Sequence, residues 1–148
     1  MNYTEHKTGG IVVSVITGIG AFIYTTDGMS SILCAVSAFI FALYPDMDIN
    51  STPRKIFTPI GIISAGLLFY FDKKLPAIVL LGLIVLPLMM RHRGFIHSIL
   101  GMFLAALAWN YVVMYLVPTT ELNGFIYAFG AICGYMTHLV LDTHFRIL

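Results

Sequence analysis

The chain is 148 residues long, 59% hydrophobic and only 10% charged, with a formal net charge of +1 and a mean hydropathy of +0.91. This composition excludes an ordinary soluble domain, a nucleic-acid-binding protein, which would need a basic excess, and a disulfide scaffold, because Cys34 and Cys133 both sit inside apolar runs. What remains is an integral membrane protein, all-α and polytopic, with residues 1–148 forming a single transmembrane helical bundle.

Six apolar runs, each approaching the roughly 20 residues that cross a bilayer, follow one another along the chain: Thr8 to Thr25, Met29 to Tyr44, Arg54 to Phe71, Leu75 to Met90, Gly94 to Val117, and Leu122 to Asp142. Residues that stop or turn helices separate them, namely Asp27-Gly28, Pro45-Asp46, Asp72-Lys73-Lys74 and Pro118-Thr119-Thr120. Ile11 to Tyr24 is as long as the apolar part of a signal peptide, but no small-x-small cleavage site follows, so the N-terminus is expected to be kept. The second and fourth runs are short, which draws their polar ends toward membrane depth. Gly18, Gly61, Gly66, Gly82, Gly101, Gly130 and Gly134 are expected to let helices approach closely, and Asn110 to hydrogen-bond between helices.

Six crossings place both termini on one side. Lys7, Arg54, Lys55, Arg91, Arg93 and Arg146 fall on that side against Lys73 and Lys74 on the other, which marks the first as cytoplasmic. His6, His92, His97, His138 and His144 fall there too, with Asp46, Asp48 and Asp142. One face therefore collects nearly every side chain able to hold a metal.

In chain order, His6 stands just before the first run, followed by Gly9 and Gly10. Pro45-Asp46-Met47-Asp48 follows the second run, and in an extended or turning backbone both carboxylates point into one cavity. Two anions at membrane depth need a cation, either a metal or Arg91 or Arg93. The stretch Arg91 to Ser98 is the most polar in the chain; a helix starting near Gly94 would carry His97 on its first turn and leave His92 just outside. His138 and Asp142, four residues apart, share one helix face and can reach a common ion. His144 belongs to another face. The mixed His/Asp set suits a divalent metal, zinc or manganese, as one ion or two at the cytoplasmic face.

These motifs make the chain resemble the LexA-binding, inner-membrane-associated hydrolase family, the YdjM-like family, described as membrane-bound metal-dependent hydrolases. The resemblance is carried by His6 with Gly10, by Asp46, Asp48 and Ser51, by His92, Arg93, Gly94, His97 and Ser98, and by His138 and Asp142. Ile96 stands where that family often has threonine, and Ile49-Asn50 where His-Pro often follows the second aspartate. The resemblance implies a multi-pass protein of the cell inner (plasma) membrane. It also implies a metal-dependent hydrolase.

The reading that joins both lines is metal-activated water attacking an ester, foremost a phosphoester in a lipid or lipid-linked substrate. His6, Asp46, Asp48, His92, His97, His138 and Asp142 supply ligands or a general base, Arg93, with Arg91 beside it, stabilises charge developing on the substrate, and Ser51 and Ser98 orient water or ligands. The membrane lipid bilayer is the one partner expected besides substrate. The alternatives are a membrane metal-ion carrier or sensor that binds without catalysis, a b-type haem site, and a scaffold that docks a soluble protein.

Overall fold

A computed structural model of the protein describes residues 3–90, 94–117 and 125–142. Among them the chain forms six α-helices and no strand: α1 (Tyr3–Thr25), α2 (Gly28–Leu43), α3 (Thr52–Tyr70), α4 (Lys74–Met89), α5 (Ile99–Leu116) and α6 (Ile126–Leu141). Two short 3-10 turns, Tyr44–Asp48 and Phe95–His97, lead out of α2 and into α5. Each apolar run is thus a helix. The expected break at Pro118-Thr119-Thr120 lies outside the described residues.

Among the described residues, three segments are long and apolar enough to cross a membrane: Thr4–Thr25, Gly28–Asp48 and Ile99–Leu116. Helices α4 and α6 are apolar but have 16 residues each; at about 1.5 Å per residue they rise about 24 Å, less than the roughly 30 Å of hydrocarbon. On α1, Val12, Val15, Ile16, Ile19, Phe22 and Ile23 are all exposed. They recur every three or four residues, so one whole stripe of the helix faces outward, a pattern suited to lipid and not to water.

Local chemistry sets the helix ends. The Asp27 carboxylate accepts from the amides of Met29 and Ser30 at 3.2 and 2.8 Å and starts α2. After α3, Asp72 takes a left-handed backbone with φ of 59°. There the Lys73 amide donates to the Leu68 carbonyl and the Asp72 amide to that of Phe69, closing a Schellman motif without glycine. In α4, Pro87 has no amide proton to give the Leu83 carbonyl four residues earlier. The Tyr44 hydroxyl donates to that carbonyl instead, at 2.8 Å, so the turn after α2 repairs a defect in a distant helix.

Packing is closest among α1, α2 and α6. A Cβ added at Gly130 would strike the Cys34 carbonyl, and one at Gly134 the Ala38 carbonyl; one turn further on, the His138 ring reaches the Ala42 carbonyl. These rungs, each four residues apart on both helices, show α2 and α6 running parallel with backbones nearly touching, the small-residue packing that membrane helices use. Gly9 meets α6 through Thr137 and Leu141, while Gly10 meets α2 at Ala42. Gly18, Gly61 and Gly101 also mark close approaches, but an added Cβ at Gly66 or Gly82 would meet open space. The expectation of close packing fails at those two because both lie on outward helix faces.

Helices α3 and α4 pair with each other and join the rest through α5 and the Tyr44–Asp48 turn. Asn110 does bridge helices as expected, accepting from the Ala128 amide of α6 at 2.9 Å. The Trp109 indole N–H donates to the Ser37 hydroxyl at 2.8 Å.

Gly134→Ala is expected to lower stability by about 1–3 kcal/mol through overpacking, whereas Gly82→Ala should be neutral or slightly stabilising. Thermal unfolding of both purified variants in detergent checks this contrast.

Candidate metal centre

Ionisable side chains from four segments meet at one end of the bundle. His6 comes from the second turn of α1, Asp46 and Asp48 from the 3-10 turn after α2, His97 from the 3-10 turn before α5, and His138 and Asp142 from the end of α6. Two placements differ from expectation. Helix α1 begins at Tyr3 and not near Thr8, so His6 lies on the helix, and His97 sits in a turn that precedes α5 instead of on its first turn.

In the Tyr44–Asp48 turn, three residues per turn put Tyr44 and Met47 on one side and Asp46 and Asp48 on the others. A single short turn thus offers apolar groups to the core and carboxylates to the cluster. The Tyr135 hydroxyl of α6 donates to the Ile96 carbonyl and pins the turn carrying His97. Sequence reasoning missed this tyrosine; its one signal was a place on the helix face of His138, three residues earlier.

The three imidazoles are almost fully buried, at 2% exposure for His6, 1% for His97 and 0% for His138. His6 and His138 stack with ring centroids 4.1 Å apart, and His97 meets His138 edge-on at 5.6 Å. Two imidazolium charges at the stacking distance would repel by about 4 kcal/mol at an effective dielectric of about 20, so the stack favours neutral rings.

Hydrogen bonding then decides where the lone pairs point. His138 Nδ1 lies 2.9 Å from the Ala42 carbonyl, which only accepts, so Nδ1 carries the proton and Nε2 carries the lone pair. That lone pair faces Asp46 Oδ1 at 3.7 Å and Asp142 Oδ2 at 3.9 Å. His97 has Nδ1 at 3.5 Å from Asp48 Oδ2 and Nε2 at 3.8 Å from Asp142 Oδ2. His6 Nε2 lies 3.3 Å from Asp142 Oδ1.

A cation between such acceptors would offset their mutual repulsion in a buried site. The spacings fit one: two ligands each about 2.1 Å from a tetrahedral ion stand roughly 3.4 Å apart. Two sets of ligand atoms lie within 4.8 Å of one another, His6 with His138 and Asp142, and Asp46 with His97 and His138. Asp142 links the halves, one oxygen toward His6 and the other toward His97 and His138.

The serines are committed elsewhere. Ser51 Oγ donates to the Asp46 carbonyl at 2.6 Å and accepts from the Arg54 amide at 3.2 Å. Ser98 Oγ donates to the Phe95 carbonyl at 2.6 Å and accepts from the Gly101 amide at 3.0 Å. A hydroxyl has one proton, and both are spent on backbone, so these residues cap α3 and α5 and hold the two turns instead of presenting a donor to the cluster. His92, Arg91, Arg93 and His144 lie outside the described residues. The stacked histidines also leave no slot for a haem between them.

The family model described as YdjM inner membrane protein matches residues 1–146 of the chain. No curated protein and no solved structure matches it.

Ser51→Ala and Ser98→Ala are each expected to cost about 1 kcal/mol of stability as lost helix caps, with bound divalent metal unchanged. Unfolding curves and elemental analysis of the same samples check both halves.

Proposed function

Because the chain belongs to the YdjM inner membrane protein family, we propose that it is a membrane-embedded, metal-dependent hydrolase whose substrate is an ester, foremost a phosphoester of a lipid or lipid-linked molecule. The observation that carries this reading is the His138 lone pair, fixed by the Ala42 carbonyl and aimed at Asp46 and Asp142 in a buried cluster of three imidazoles and three carboxylates. Such a donor set would suit zinc or manganese, as one ion or two. In this reading the bundle crosses the inner membrane six times, with both termini and the cluster on the cytoplasmic side.

His6, His138 and Asp142, or Asp46, His97 and His138, would hold such an ion, which would supply Lewis-acid chemistry and make hydroxide available from water near neutral pH. Asp48 belongs to neither set and pairs with His97, which leaves it to take the proton of the attacking water. The water oxygen adds to phosphorus or to the acyl carbon. The departing alkoxide takes that proton back from Asp48, so that ester and water become acid and alcohol. Arg93 and Arg91, three residues or fewer from Gly94 in the chain, hold the anionic group two-pronged, and His92 adds a further imidazole.

Ion transport without catalysis would need ligating groups along the membrane. Among the described residues, Thr17, Ser30, Cys34, Ser37, Asn110 and Tyr127 are buried further along the helices, and none of them is a carboxylate or an imidazole.

Purified wild type is expected to carry stoichiometric divalent metal, with a several-fold loss in His138→Ala and Asp46→Ala. Hydrolysis of a generic phosphodiester should follow the metal and stop with chelator. Equal metal in wild type and both variants would overturn this reading.

A further inference from the structure

Directly behind the Tyr44–Asp48 turn lies a cavity of about 230 Å³ enclosed by α2, α3, α4 and α5. It exists because α2 and the α3–α4 hairpin make no extensive contact below the turn that joins them. Its volume exceeds the roughly 150 Å³ of an apolar cavity that stays dry and takes up a benzene-sized molecule.

Three features say what fits. The first is chemistry: Tyr44 and Trp109 line the space, but the hydroxyl of one is bound to the Leu83 carbonyl and the indole N–H of the other to Ser37, which leaves Ser64 as the polar exception in a wall of hydrocarbon. The second is shape. On α3 the wall runs from Phe57 to Ser64 and on α5 from Trp109 to Leu116, seven residues in each case, so the space extends about 10 Å along the helices. The third is access. Ile60 and Leu116 line the cavity and are also 57% and 51% exposed, so its mouth opens sideways between α3 and α5, on the surface that meets lipid.

The inner end is as informative as the mouth. Met47 lines the cavity there while its neighbours Asp46 and Asp48 face the histidines from the other sides of the same turn. Hydrocarbon slot and ionic cluster are separated by one residue. A molecule that used both would be an amphiphile with an apolar tail and a polar ester at its end.

We infer that this cavity takes one acyl chain of a membrane phospholipid and so presents the lipid's headgroup to the histidine–aspartate cluster. The inference rests on the hydrolase reading for what becomes of the headgroup, but not for the chain itself. It makes Ser64, Trp109 and Val112 determinants of chain binding, with no contact to the cluster required of them.

Trp109 is the single tryptophan of the chain, so its fluorescence reports on the cavity alone. In vesicles of a phosphatidylcholine brominated midway along one acyl chain, with chelator present, wild-type emission is expected to be quenched at least about twofold more than that of Ser64→Phe or Val112→Phe. Those substitutions fill the slot from separate helices. Native mass spectrometry of wild type released from detergent should retain a phospholipid that the filled variants lose, and circular dichroism shows which variants are folded. Equal quenching in wild type and a folded filled variant, or no retained lipid on wild type, would overturn the inference. Chain-dependent quenching in a protein that binds no metal would leave this site standing and remove the hydrolase; stoichiometric metal with uniform quenching would do the reverse.

Discussion

The close approach of α2 and α6 is the constraint on which the rest depends. Gly130 and Gly134 let two backbones run side by side, and the next rung of the same ladder is the hydrogen bond from His138 to the Ala42 carbonyl. A bulkier pair of helices would hold that carbonyl out of reach, and the imidazole would be free to choose either tautomer. With it in place, the proton sits on the protein side and the lone pair on the side of the carboxylates. This outer partner is the kind that orients a metal-binding histidine and fixes its ring. The stack on His6 depends on the same geometry, because Gly9 and Gly10 seat α1 against α6 and α2 one turn away.

Much of this was legible in the sequence because ionisable groups are scarce in so apolar a chain. At membrane depth each carries a solvation cost that a soluble surface would not impose, so His6, Asp46, Asp48, His92, His97, His138 and Asp142 stood out, and the six of them among the described residues lie together. The turns separating the apolar runs also marked the helices to within a few residues at most ends. The start of α1 was not legible, for a physical reason: hydropathy ends where hydrocarbon ends, but a helix does not, and Tyr3 to Lys7 continue it in polar residues. The serines show the opposite limit. A serine that caps a helix and one that orients water look alike in sequence, and only the positions of Asp46, Phe95 and two amides separate them. The Ala42 carbonyl leaves no trace at all, since backbone is common to every residue.

The Tyr44–Asp48 turn divides labour over five residues. Tyr44 and Met47 belong to the apolar core, Asp46 and Asp48 to the charged cluster, and the three-residue period keeps them apart. An α-helical continuation of α2 would rotate these side chains by 100° per residue and smear that separation. Pro45 at the start of the turn and Ser51 beyond its end fix where the tighter winding begins and where the chain leaves it.

The bond between Tyr44 and the Leu83 carbonyl has a bearing on how the chain can vary. Proline at 87 exposes an acceptor that hydrocarbon cannot solvate, and a phenol from the end of α2, two helices earlier in the chain, supplies the missing proton. Neither position can drift alone: phenylalanine at 44 would strand the carbonyl, and an amide restored at 87 would compete for it and strand the phenol. Substitutions there should be inherited as a pair, a covariation created by a single absent hydrogen.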